Sequence, residues 1–138
     1  MNALDGLSVG VDIIEIERIE GVLRRHGQRF LQRVYTPAEQ AYCRGRVPEL
    51  AARFAAKEAV SKALGTGLRG IAWREMEILG DERGKPLVCL HGRARARAEE
   101  LGLSEFAVSL SHSRDYAVAF VVAAGKMSGL AIGEEAGP

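Results

Sequence analysis

The segment from Pro48 to Leu64 constrains this chain more than any other. A proline opens it, Ala51, Ala52, Ala55, Ala56, Ala59 and Ala63 fill it, and Gly65 follows its end. Proline suits a first turn, where its missing N–H would have no partner; alanine is the strongest helix former; glycine takes the left-handed geometry that stops a helix. The segment reads as one long helix. Around it the chain offers only short strands. Ser8 to Ile16 is rich in Val and Ile. Met76 to Leu79 and Pro86 to Leu90 flank a turn at Asp81–Lys85, and Phe106 to His112 and Tyr116 to Ala123 form a hairpin over Ser113-Arg114-Asp115. Further helices are predicted from Glu17 to Tyr35, interrupted near Gly27, after the capping box Thr36-Pro37-Ala38-Glu39, and from Gly92 to Leu101. Short strands mixed with helices predict a small α+β domain, an antiparallel sheet packed by helices.

The 138 residues fit one domain, and 47% hydrophobic with 27% charged residues is enough to build a core. We expect the domain to occupy residues 1–124. The tail 125–138, which contains Gly and Glu and little to pack, is expected to be disordered. The longest apolar run, Tyr116 to Ala124, has nine residues, against the roughly 20 a membrane helix needs. The N-terminus lacks the basic start and apolar stretch of a signal peptide, and Cys43 and Cys89 give no disulfide framework, so a cytoplasmic location is expected. A net charge of +1 carries neither a nucleic-acid nor a membrane signature. The charge is nevertheless uneven. Arg18, Arg24, Arg25, Arg29 and Arg33 face a single acid, Glu20, over 16 residues, which suits either an acidic partner or a solvated helix.

Three residues break their local rules. Asp12 lies within an apolar strand, where a carboxylate must be paired, metal-bound or turned to solvent at an edge. Gly10 beside it permits close approach of a ligand or another backbone. On the long helix, Glu58 falls one turn after Phe54, with Ser61 and Lys62 adjacent. This is either a functional cluster or a Glu58–Lys62 surface pair. Gly65-Thr66-Gly67, following the helix, could wrap a phosphate or cap the helix. His112 closes the face Phe106, Val108, Leu110 at a strand end, where binding groups are often found, although a neighbouring carbonyl could satisfy it. Together these supply two carboxylates, a lysine and a histidine, a set suited to metal-assisted phosphoryl chemistry. A metal-dependent phosphohydrolase or a coenzyme A-binding sensor could use much of the same set.

Three motifs resemble those of the bacterial holo-[acyl-carrier-protein] synthases, which are 4′-phosphopantetheinyl transferases. They are Val9-Gly10-Val11-Asp12-Ile13-Ile14-Glu15-Ile16, the run from Arg53 to Gly67, and Ser109-Leu110-Ser111-His112-Ser113 followed by Tyr116-Ala117. The resemblance spans about Leu7 to Ala123. It implies the family's α+β fold, assembled as a homotrimer with each active site between two subunits. The implied activity is transfer of 4′-phosphopantetheine from coenzyme A to a serine of an apo-acyl carrier protein for fatty acid biosynthesis. Asp12 and Glu58 would hold Mg²⁺, with Mn²⁺ able to substitute, and Lys62 would neutralise phosphate oxygens as the third catalytic residue. Ser61, Gly65, His112 and Ser113 would bind coenzyme A, and Arg18 and Arg29 would meet the acidic carrier protein. Either Glu58 or a metal-bound water would be the general base. The segment Cys43–Val47 is shorter than in many relatives, so Arg44 and Arg46 receive no role.

Overall fold

The computed structural model describes residues 6–125. Its elements follow the order β1 (Leu7–Glu15), α1 (Ile16–His26), α2 (Gln28–Val34), α3 (Pro37–Cys43), α4 (Val47–Ala63), a 3₁₀ turn (Trp73–Glu75), β2 (Met76–Gly80), β3 (Pro86–Leu90), α5 (Gly92–Glu100), β4 (Leu103–His112) and β5 (Tyr116–Gly125). The predicted elements are all present within a few residues; the 3₁₀ turn was not anticipated. The expected boundary at residue 124 falls one residue inside β5, and the tail from Lys126 lies outside the described residues.

The strands form two antiparallel sheets rather than one. The larger has the order β1-β5-β4, and β2 pairs only with β3. β3 packs beside β4 without a shared ladder. Helix α4 lies across the larger sheet, touching β1, β5 and β4, with α1, α3 and β2 around it. It is therefore buried on most of its circumference: Leu50, Ala51, Ala52, Ala55, Ala56, Ala59, Val60 and Ala63 all belong to the core. Alanine keeps the helix thin enough for neighbours on several sides to come close.

The closest approach is at Gly10. A Cβ there would overlap the Ala59 carbonyl oxygen and stand 2.9 Å from its carbon and 3.1 Å from Ala63 N. Ser8, two residues earlier on the same face, donates its hydroxyl to the Ala63 carbonyl at 2.6 Å. The opposite face of β1 carries Leu7, Val9, Val11 and Ile13. All four are exposed, as are Tyr116 and Phe120 on β5. Val11 is in register with Phe120 and Glu15 with Tyr116, so these residues make one continuous apolar surface with no cover among the described residues.

Behind α4 lies a fully buried ion pair. Glu39 belongs to the capping box of α3, and its carboxylate accepts from Lys57 Nζ (2.8 Å), Thr36 N (2.9 Å) and Ile78 N (2.8 Å). Lys57 Nζ also donates to the carbonyls of Met76 (2.7 Å) and Trp73 (3.1 Å). Burial pushes the Lys57 ammonium below its ordinary range, and the Glu39 charge opposes this shift. A complete set of partners is what makes a buried pair tolerable, and here it joins α3, α4 and β2.

Candidate active site

Strand pleating turns Ser8, Gly10, Asp12 and Ile14 toward α4. The absence of a side chain at Gly10 lets Asp12 arrive beside the last turns of that helix. There Lys62 Nζ donates to Asp12 Oδ1 at 3.1 Å and to the Val11 carbonyl at 2.8 Å. Lys62 therefore crosses to β1, and among the described residues it makes no ion pair with Glu58. Its side chain is half exposed and that of Asp12 is 18% exposed, so solvent still reaches the pair and its net worth is below about 1 kcal/mol. Stability does not explain an acid at this position.

Glu58 is half-buried one turn earlier on α4. Burial holds its carboxyl above the ordinary range, the charge of Asp12 adds to this, and Lys62 and Arg18 pull it back. The same charges thus bring Arg18 of α1 within electrostatic reach of the cluster. Two carboxylates and one lysine, open to solvent on one side, can hold a hard divalent cation and neutralise phosphate oxygens. Ser61 is buried, with its hydroxyl turned back onto the Glu58 carbonyl at 2.7 Å. Gly65 sits just past the end of α4 with φ +73°.

His112 is not part of this cluster within one chain. It lies on β4, two strands from β1 and so about 10 Å across the sheet, and Leu110 rather than His112 shares the register of Asp12. It lines a separate cavity with Tyr42, Glu49, Arg53, Pro86 and Ser111. His112 is exposed and its Nδ1 lies 3.4 Å from the Ser113 carbonyl. Ser113 Oγ accepts from Tyr116 N at 3.2 Å and shapes the hairpin turn. Arg53 was missed at the sequence level. It is 3% exposed and lies over the Tyr42 ring at 4.0 Å, and its Nε has no hydrogen-bond partner among the described residues. The available signal was its position one helical turn before Lys57 in a run of alanines, a poor place for a solvated cation.

Arg18 and Arg29 line one groove of about 500 Å³ between α1, α2 and α4. Its rim adds His26 and Arg33, and its floor includes Ile14, Phe30, Phe54 and Trp73. Phe54 and Trp73 stack at 4.7 Å. The arginine-rich stretch is therefore an apolar groove with a cationic rim rather than a uniformly wet helix, and Arg18 joins it to the carboxylate cluster.

The chain and its fold have relatives among known proteins. A family model for the 4′-phosphopantetheinyl transferase superfamily matches residues 8–121. The holo-[acyl-carrier-protein] synthase of Herpetosiphon aurantiacus is 56% identical over 126 residues, covering 86% of this chain and 99% of that one. The Moorella thermoacetica enzyme of the same name is 55% identical over 116 residues, covering 82% and 90%. Among solved structures, Helicobacter pylori holo-[acyl-carrier-protein] synthase in complex with coenzyme A superposes with a TM-score of 0.78 at 31% identity, covering 84% of this chain and 99% of that one. The Neisseria meningitidis synthase gives a TM-score of 0.77 at 40% identity, covering 84% and 96%. The motifs on β1, α4 and β4 and the two-sheet domain that positions them have a single source: this chain belongs to the holo-[acyl-carrier-protein] synthase family of the 4′-phosphopantetheinyl transferase superfamily.

Proposed function

We propose that this chain transfers 4′-phosphopantetheine from coenzyme A to a serine of an apo-acyl carrier protein, releasing 3′,5′-ADP, and that it does so in the cytoplasm for fatty acid biosynthesis. The observation that carries this reading is the convergence of Asp12, Glu58 and Lys62 at the Gly10 crossing of β1 over α4. The serine oxygen attacks the phosphorus of the pantetheine phosphate, and the bond to the bridging oxygen breaks. Lys62 stabilises negative charge on the phosphate oxygens. Glu58, half-buried one turn before Lys62 on α4, is the protein group in this reading that accepts the serine proton.

Asp12 and Glu58 fit Mg²⁺, with Mn²⁺ able to replace it. Both offer hard oxygen donors, and the Asp12 charge helps to raise the Glu58 carboxyl, a repulsion that a divalent cation relieves. Among the described residues no third His, Cys, Asp or Glu joins them, so Asp12 and Glu58 would be the two side chains that hold the ion. Bound there with the coenzyme A pyrophosphate, the ion supplies charge neutralisation for the leaving nucleotide.

The second half of the site is the cavity of His112, Ser111, Arg53 and Tyr42, which takes the nucleotide end, with Ser113 following His112 in the chain. Its separation from Asp12 within one chain supports a site completed across a subunit boundary. The uncovered apolar face of β1 and β5 supports a homotrimer that buries it. Carrier protein docks along the groove, with acidic residues at Arg18 and Arg29 and an apolar side chain over the Phe54–Trp73 floor. The test is incubation with coenzyme A, Mg²⁺ and apo-carrier protein, followed by weighing of the carrier. Asp12→Ala and Glu58→Ala should each abolish the mass gain while the fold remains, and sedimentation should give three times the 14.9 kDa chain mass. Near-normal turnover in either variant, or a fully active monomer, overturns the corresponding part.

A further inference from the structure

Arg97 belongs to none of the groups above. It projects from α5 to the far end of α4, where its Nε donates to the Leu64 carbonyl at 3.1 Å and its Nη1 pairs with Glu100. Its Nη2 lies over Gly65, 3.7 Å from the point a Cβ would occupy. The preceding arginine of the helix, Arg95, behaves as a surface residue: it is 71% exposed against 31% for Arg97, and its ion pair among the described residues is with Glu99 at 3.7 Å.

The last carbonyls of a helix have no intrahelical partner, and an end without one frays. On α4 the Ala63 carbonyl is taken by Ser8 of β1 and the Leu64 carbonyl by Arg97 of α5. Side chains from two distant elements therefore finish one helical turn, and a cation at that end is also favoured by the helix dipole. This is the turn that carries Lys62. The 2.8 and 3.1 Å bonds of Lys62 Nζ to Val11 and Asp12 require the turn to keep its place against β1.

We infer that Arg97 is a positioning residue for Lys62: by capping Leu64 from α5 it holds the last turn of α4 in register with Asp12. The inference rests on the proposed role of Lys62 in phosphoryl transfer. It requires the two residues to act as one unit, whereas a purely structural arginine would lower stability independently of Lys62.

The test is a double-mutant cycle on the full chain, with Arg97→Ala, Lys62→Ala and both together, and with Arg95→Ala as control. Steady-state transfer is measured separately against coenzyme A and against carrier. One lost charge-assisted hydrogen bond predicts that Arg97→Ala lowers kcat/KM for coenzyme A roughly tenfold, with the carrier KM within about twofold. In the Lys62→Ala background the same change should cost less than about twofold, because the group it positions is gone. Arg97→Lys, which keeps one charged donor, should recover part of the loss, and Arg95→Ala should match the wild type. If Arg97→Ala melts below the assay temperature, Arg97→Gln carries the same cycle. Fully additive losses, an equal rise in carrier KM, or wild-type rates in the Arg97 variants overturn the inference alone. A wild-type chain that transfers nothing overturns the proposed function as well.

Discussion

Replacing Gly10 by alanine should separate the two carboxylates of the site without touching either. The added carbon would stand 2.9 Å from the Ala59 carbonyl carbon and 3.1 Å from Ala63 N, with the carbonyl oxygen in direct overlap. Ordinary carbon contacts lie near 3.5–4.0 Å, so β1 must withdraw from α4 by about 1 Å or more. The obstacle is helix backbone, which cannot swing aside as a side-chain end can. Overpacking of this kind costs about 1–3 kcal/mol, on the order of 3–10 °C in Tm for a domain of this size. The second effect falls on the site. Asp12 is two residues along the same strand, and a 1 Å displacement would open its 3.1 Å contact with Lys62 beyond hydrogen-bonding range. Misplacement of that size lowers turnover by about 100-fold. Thermal denaturation followed by circular dichroism and the carrier mass assay read the two effects. Gly21→Ala is the matched control: it lies in a helix interior where the nearest atom, 3.2 Å away, is the movable end of Arg25. It should raise stability by up to about 1 kcal/mol through helix propensity. A Gly10→Ala protein with wild-type Tm and turnover would show that the strand–helix contact does not position Asp12.

Three further outcomes are open to direct measurement. Lys57→Met should cost about 3–5 kcal/mol in denaturant unfolding, because it leaves the Glu39 carboxylate buried without its counter-charge and takes one donor from the Met76 and Trp73 carbonyls; a loss below about 1 kcal/mol would contradict the buried-pair account. Burial holds the Cys43 thiol up at about 11 against an ordinary 9.0, so it contributes stability that is present below pH 9 and lost as pH rises through 11. Cys43→Ala should flatten the wild-type decline between pH 9 and 11 by about 2–3 kcal/mol, and comparison with wild type cancels the opposite slope from the depressed Lys57; parallel curves would refute the assignment. Arg18→Glu combined with Arg29→Glu should raise the carrier KM strongly, leave the coenzyme A KM nearly fixed, and reduce the sensitivity of the reaction to added salt; an unchanged carrier KM would move docking away from the groove.

Local features were readable from the chain because their causes are local. The Thr36–Glu39 capping box, the proline-opened α4 and the Ser113–Asp115 hairpin depend on neighbouring residues. Asp12 was visible as a violation of its strand. Which lysine of α4 would face inward was not readable: Lys57 is fully enclosed and Lys62 half exposed, and a helix buried on nearly every side has no clear periodicity to separate them. The alternative Glu58–Lys62 pair follows from helix geometry alone, but the Gly10 crossing brings Asp12 closer to Lys62. The split into two sheets likewise depends on long-range packing, since a hairpin's turn says nothing of which ladder its strands will join. Arg53 was hidden for a related reason: its burial follows from Tyr42, 11 positions earlier in the chain.

Strand β1 carries two messages in alternating positions. Gly10 and Asp12 speak to α4, while Val9, Val11 and Ile13 speak to the surface proposed to meet other subunits. A slip of one residue would exchange the two audiences, pressing Val11 into the Ala59 backbone and sending Asp12 to the apolar side. Misregistered chains would thus fail at helix packing and at assembly together, before they could accumulate as well-folded but inert protein. For an engineer the implication runs the other way. Making the odd positions polar to obtain a soluble single subunit would also erase the contrast that tells the strand which way to face.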